Sequence, residues 1–177
     1  LTACILDRRR HNKIIEELRN LKVRIKFISD GDISGALLVT DEKYSVDIFL
    51  GTGGGPEGVL AAAALDAFNC SFQGRFLFET DKDKKRAKEM GIRDLTKKYD
   101  LNEIIKGDSI FCATAITDCM PIKNIRNDKQ TMRNALSGVK NESNNTFITE
   151  TIVTHKSSNL EDIITKKIIL DNNQKNK

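Results

Sequence analysis

The sequence predicts an α/β fold in which helices cover a β-sheet. Three observations carry this. Short apolar or β-branched runs alternate with segments of helical spacing through the first two-thirds of the chain. Each of the first three such runs leads directly into a charged or glycine-rich stretch. At 177 residues, 39% hydrophobic and 31% charged, the chain is long and apolar enough for one real core.

The elements follow in order. Residues 3–6 form a short apolar strand, and residues 10–21 place Ile14, Ile15 and Leu18 on one helical face. Residues 23–28 alternate and are β-branched, which marks a strand. Residues 29–32 end it, residues 33–39 form a short helix, and residues 46–50 are the next strand. A glycine loop over 51–55 leads to Pro56, which fits the first position of a helix running to about Phe68. Residues 71–78 are a strand, and residues 81–90 a charged helix stopped by Gly91. A short turn or helix over 102–106 precedes a buried strand over 110–116. Residues 124–139 are polar and break the rhythm, with one weak helical stretch at 132–136; they read as an inserted excursion. Residues 147–154 and 163–170 are strand candidates, paired antiparallel at a sheet edge, and residues 171–177 are a polar tail.

Composition excludes several classes. No apolar run approaches the ~20 residues of a membrane span. A net charge of +4, with lysines scattered among acids and few aromatics, does not point to nucleic acid. Cys4, Cys70, Cys112 and Cys119 have no CxxC spacing and sit in or beside apolar stretches, so buried free thiols of a cytoplasmic protein are expected. No secretory leader is visible, since a cationic cluster follows the first apolar run instead of preceding it. The chain begins at Leu1, directly in an apolar run, and is expected to be a piece of something longer.

Three segments could carry chemistry, each just after a strand, where ligands of open α/β sheets collect. If the three strands are parallel neighbours, the loops lie side by side. In the first, Arg8, Arg9 and Arg10 offer planar guanidinium forks suited to phosphate oxygens. They also fit a solvated helix start, although cations there oppose the helix dipole and a bound anion would relieve them. His11 reads as a packing or surface residue, and Asp118 as a turn former. In the second, Asp30 and Asp32 flank Gly31 and could bind sugar hydroxyls, share a metal, or make a turn in which Asp32 caps the next helix. In the third, the glycines of 51–55 allow close backbone approach to an anion at a helix start. Glu57 is either a helix-start carboxylate or a ligand for a hard cation. The loop lacks the Lys-Ser/Thr of a Walker A and fits a dinucleotide fingerprint only with Pro56 in place of the last glycine. A nucleotide-binding domain would use Glu79, at the end of the following strand, to hold a ribose.

At these residues the sequence resembles the class II, GlpX-type fructose-1,6-bisphosphatases. The resemblance is carried by Leu6-Asp7-Arg8-Arg9-Arg10-His11, Ile28-Ser29-Asp30-Gly31-Asp32, Gly53-Gly54-Gly55-Pro56-Glu57-Gly58-Val59 with the apolar run behind it, Gln73-Gly74-Arg75, and Gly107-Asp108-Ser109-Ile110-Phe111 leading to Thr117-Asp118. It covers residues 1–120 well and returns more loosely at 137–158. It implies the layered sheet-and-helix fold shared by fructose-1,6-bisphosphatases and inositol monophosphatases, with this chain (1–170) as the C-terminal half. It implies hydrolysis of the 1-phosphate of fructose 1,6-bisphosphate in gluconeogenesis, with sedoheptulose 1,7-bisphosphate a substrate of some members. It further implies Mn²⁺ or Mg²⁺ as cofactor, a sugar bisphosphate as the small-molecule partner, and a homo-oligomeric full-length enzyme. By position, Arg8, Arg9 and Arg10, the Asp30-Gly31-Asp32 turn and Gly54 match substrate-binding residues, and Glu57 matches a metal ligand. No catalytic residue is assigned. The family's remaining metal-binding acids lie in a segment ahead of the part resembled, so the chain alone is expected to bind a sugar phosphate without turning it over. A non-catalytic sugar-phosphate-binding module is the alternative reading. Relative to the family, residues 124–136 are an insertion, and Thr154-His155-Lys156-Ser157-Ser158 replaces an Arg-rich ending.

Overall fold

The structure is a computed structural model that describes residues 1–115, 126–127 and 146–169. The helical stretch at 132–136, most of the expected insertion, Asp118, Cys119 and the tail lie outside the described residues.

β1 (Thr2–Leu6) is buried from Ala3 to Leu6, as expected of a run without alternation. It pairs in parallel with β2 (Arg24–Ile28) on one side and with β3 (Ile48–Phe49) on the other, giving the order β2-β1-β3. The expected parallel neighbours are therefore present, with β3 shorter than the run 46–50. α1 (Asn12–Asn20), entered through a 3-10 turn at Arg9–His11, links β1 to β2 and buries Ile15 and Leu18. α2 (Asp32–Leu37) links β2 to β3. It packs closely on the sheet. A Cβ at Gly35 would lie 2.5 Å from Phe49 Cε2 and 2.7 Å from Ile28 Cδ1, so any side chain there would push the helix away.

α3 (Gly55–Ala67) carries Pro56 as its second residue and buries Ala61, Ala62, Ala64 and Leu65. Small residues let it approach neighbours on more than one side. Cys4 and Leu38 share one buried cluster with Val46; Leu37 and Ala64 share another with Phe111, Ala115 and Ile152. The α2–α3 pair thus has the parallel sheet on one side and a second, antiparallel sheet on the other. The fold is mixed α/β, with a helix layer touching two sheets instead of helices covering one.

β4 (Gln73–Arg75) is shorter than the expected strand over 71–78. It pairs antiparallel with β5 (Lys98–Asp100), a polar three-residue strand that periodicity gives no sign of. Between them α4 (Asp81–Glu89) starts on a Thr80–Asp83 capping box. It ends as expected at Gly91, where φ is +92°. There Ile92 N–H reaches Ala87 O at 2.9 Å and Gly91 N–H reaches Lys88 O at 3.0 Å, a Schellman closure. α5 (Leu101–Ile104) follows β5 directly.

The second sheet comprises β6 (Ile110–Thr114), β7 (Arg126–Asn127), β8 (Thr146–His155) and β9 (Leu160–Ile169). β8 and β9 form the expected antiparallel pair, in register from Thr146↔Ile169 to His155↔Leu160. Of this pair only β9 lies at an edge, because β8 also pairs, on its other side, with β6 and β7. β6 is not a fully buried strand. Its residues alternate, with Phe111 buried and Ile110 and Cys112 exposed. Cys112 therefore departs from the expectation of buried thiols. Cys4 is buried and Cys70 half-buried, and burial pushes both thiols up from their ordinary value.

Two polar ties hold the β8–β9 turn. Lys156 Nζ lies 2.6 Å from Asp66 Oδ1 near the C-terminal end of α3. Asp108, after Gly107 (φ +91°), accepts from Ser157 Oγ at 2.7 Å and lies 2.7 Å from His155 Nε2. The Ser157 hydroxyl, with His155 second, holds the Asp108 carboxyl below its ordinary 3.8. A carboxyl lowered by folding stabilises the fold above its unfolded pKa, and that contribution is lost as pH falls through the folded value. The melting-temperature gap between the protein and Asp108→Asn is expected to be full near neutrality and to close as pH falls below the ordinary carboxyl value and on through the lowered folded one. A gap that widens on acidification contradicts this tie.

Candidate functional site

The strand order reverses at β1. The chain leaves β1 to reach β2 on one side and later returns to β3 on the other. Such a switch point opens a crevice at the carboxyl ends of the strands. The loops that follow β1, β2 and β3 are the three segments singled out by sequence, and the structure joins them.

The β1 and β3 loops meet at Thr52. Arg10 Nε donates to Thr52 O at 2.5 Å. His11, fully buried, places Nδ1 2.8 Å from Leu6 O and accepts the Thr52 amide on Nε2 at 2.9 Å. Its alternative as a surface residue is thereby removed. The β1 and β2 loops meet where an Arg8 Nη stands 3.5 Å from Asp30 Oδ1. Both side chains are exposed, at 43% and 91%, so this pair contributes well under 1 kcal/mol and leaves the guanidinium available to an anion. The β2 and β3 loops meet through Asp32, whose carboxylate lies beside Gly51 and Gly53: Cβ atoms built there would come within 3.7 and 3.4 Å of it. Arg9 is exposed in the 3-10 turn, and its side chain joins none of these contacts among the described residues.

Asp32 does not cap α2. It is the first helical residue, and Gly31 occupies the cap position at φ +88°, ψ 82° without a side-chain bond to the helix. A left-handed backbone there suits glycine, and the turn is closed by Asp30 Oδ1 on Gly31 N–H and by Ser34 Oγ–H on Gly31 O, both at 2.9 Å. Asp32 is thus free of a capping duty.

Gly54 precedes α3 with an ordinary backbone (φ −68°, ψ 150°). A Cβ there would meet Glu57 Oε2, the end of an exposed and flexible side chain, and displace that carboxylate. The amides of Gly53, Gly54 and Gly55 donate to no acceptor among the described residues. They sit at the positive end of a 13-residue helix, with Arg10 bonded to the adjoining Thr52 O, an arrangement that suits phosphate. It does not by itself suit a metal. Among the described residues no three His, Cys, Asp or Glu side chains converge on one point, so Glu57, Asp30 and Asp32 do not make a metal centre together. Nor does the nucleotide reading fit. Glu79 follows β4, which belongs to a separate antiparallel pair and does not flank β3. Sequence reasoning missed Thr52 and the role of His11. Their contact spans 41 residues and leaves no local signal.

Fold and site together define an α/β protein with an anion-suited crevice at the carboxyl ends of parallel strands. The comparisons give that class a family. Residues 1–167 match the family of bacterial fructose-1,6-bisphosphatases encoded by glpX, and the chain belongs to that family. It is 34% identical over 147 residues to the D-fructose 1,6-bisphosphatase class 2/sedoheptulose 1,7-bisphosphatase of Prochlorococcus marinus (strain NATL1A), covering 75% of this chain and 44% of that protein. It is 34% identical over 139 residues to the protein of the same name from Synechococcus sp. (strain JA-3-3Ab), covering 71% and 40%. The corresponding protein of Trichodesmium erythraeum (strain IMS101) is 32% identical over 139 residues. The chain thus spans under half the length of these relatives. Among the described residues no helix is long and apolar enough to cross a membrane.

Proposed function

We propose that this chain is the substrate-holding part of a sugar bisphosphatase that hydrolyses the 1-phosphate of fructose 1,6-bisphosphate. The observation that carries the reading is the meeting of the three motif loops at the switch point, within a chain of this family. Arg8, Arg9 and Arg10 hold the phosphate that is not cleaved, by charge and by guanidinium geometry. Asp30 and Asp32 accept from sugar hydroxyls on either side of the Gly31 turn. Gly54 lets the backbone approach the ligand. The α2–α3 layer between two sheets is compatible with the layering of fructose-1,6-bisphosphatases and inositol monophosphatases. Sedoheptulose 1,7-bisphosphate, named in the relatives, presents the same chemistry with a longer sugar. We keep the homo-oligomeric, cytoplasmic, gluconeogenic enzyme as the setting of the full-length protein.

A divalent cation such as Mn²⁺ or Mg²⁺ polarises a phosphoryl oxygen and activates water in reactions of this type. Glu57 belongs to no group of three or more His, Cys, Asp or Glu side chains among the described residues, whereas hard cations take six or more oxygens. No catalytic step is therefore assigned to this chain. The same observation favours, for the 177 residues alone, the reading of a binding module without turnover. Isothermal titration with fructose 1,6-bisphosphate is expected to show binding. A phosphate-release assay with Mn²⁺ is expected to show none. Turnover by the 177 residues alone overturns the division of labour, and absence of binding overturns the site.

A further inference from the structure

We propose that His11 is the positioning residue of the phosphate-binding glycine loop, acting as a neutral imidazole in its Nδ1–H tautomer. The tautomer follows from its two partners. Leu6 O, 2.8 Å from Nδ1, is a carbonyl and can only accept, so Nδ1 carries the hydrogen. The Thr52 amide, 2.9 Å from Nε2, can only donate, so Nε2 presents its lone pair. A hydrogen on Nε2 would oppose the Thr52 N–H and leave the ring only Thr52 O, at 3.2 Å. The ring is fully buried, so neither arm can be replaced by bulk water.

The two arms do different things. The Leu6 arm anchors the ring to the end of the central strand, which is rigid and covered on both faces. The Thr52 arm turns that rigidity on the loop. It draws the Thr52 N–H inward, while Arg10 Nε holds Thr52 O at 2.5 Å. With one peptide group after another fixed, the next amides, those of Gly53, Gly54 and Gly55, are left as the free donors of the cradle. Glycines have the widest backbone freedom, so a loop of four glycines and one threonine needs such a clamp to hold a single shape. His11 touches no ligand in this arrangement. This inference rests on the reading of the loop as a phosphate cradle.

The test separates the arms. Asparagine at this position keeps a donor within reach of Leu6 and gives up Thr52; glutamine, one methylene longer, keeps an acceptor for Thr52. In the full 177-residue chain, His11→Asn is expected to weaken binding of fructose 1,6-bisphosphate about tenfold and His11→Gln about threefold or less. Thr52 amide hydrogen exchange, read by NMR without ligand, is expected to be slow in the parent and His11→Gln and fast in His11→Asn. The ¹⁵N spectrum of the parent is expected to show a protonated Nδ1 and an unprotonated Nε2. The opposite tautomer, or Thr52 exchange unchanged in His11→Asn, overturns the inference whatever the ligand does. Equal weakening by both variants reduces His11 to packing and overturns it too. If the parent binds no sugar phosphate while exchange and tautomer come out as expected, the cradle reading fails and the clamp stands.

Discussion

Lys156→Ala is expected to destabilise the fold by about 3 kcal/mol, a large share of the stability of a domain this size. The cost does not come from the lysine, which is 43% exposed and would be comfortable in water. It comes from Asp66, which is 2% exposed and has Lys156 on one oxygen and, among the described residues, no hydrogen-bond partner on the other. Removing the ammonium strands a buried carboxylate. Urea unfolding should therefore show a lower midpoint for Lys156→Ala, and the loss should largely vanish in an Asp66→Asn background, where no charge is left to strand. An equal loss in both backgrounds would mean that the lysine acts through packing of its stem.

Gly54→Ala is expected to weaken fructose 1,6-bisphosphate binding at least tenfold while changing stability by about 1 kcal/mol or less. The backbone of Gly54 is open to alanine, so folding has little reason to object. The methyl group, however, would push the exposed Glu57 carboxylate out of its place beside Gly54 at the start of α3. Titration calorimetry beside urea unfolding reads both quantities, and a stability loss as large as the binding loss would contradict the argument. In the full-length enzyme, Glu57→Ala is expected to lower turnover about a hundredfold, with excess Mn²⁺ restoring it only in part. Wild-type turnover in that variant would remove Glu57 from the metal site.

How much of this was legible in the sequence depends on how far apart the interacting residues are. The parallel strands were legible because β1 is uniformly apolar and β2 is rich in β-branched residues, both local signals. The three loops were legible because glycines, arginines and paired aspartates follow those strands directly. β5 was not, since Lys98-Tyr99-Asp100 owes its strand to pairing with β4 and not to its own pattern. The alternation of β6 was masked by apolar residues on both faces, which hid the exposure of Cys112. Asp32 was read as a cap because aspartate favours caps, but Gly31 holds the left-handed backbone and moves the helix start by one residue. The ties of Asp66 to Lys156 and of His11 to Thr52 span 90 and 41 residues, beyond any pattern a local window contains.

The pairing of β1 with strands on both sides has a kinetic consequence. β1 precedes both of its partners, which pair with it from 22 residues further on, at Arg24, and from 45 residues further on, at Ile48. The β8–β9 hairpin, by contrast, needs only a turn of four residues, and such hairpins close in roughly 1–10 μs. Loop closure must precede the reward of distant contacts, so the parallel sheet condenses more slowly than the hairpin. The clamp between His11 and Thr52 cannot close until β3 has docked. The phosphate cradle is thus among the last features of the chain to take shape, and a sugar phosphate can bind only a sheet that has already closed.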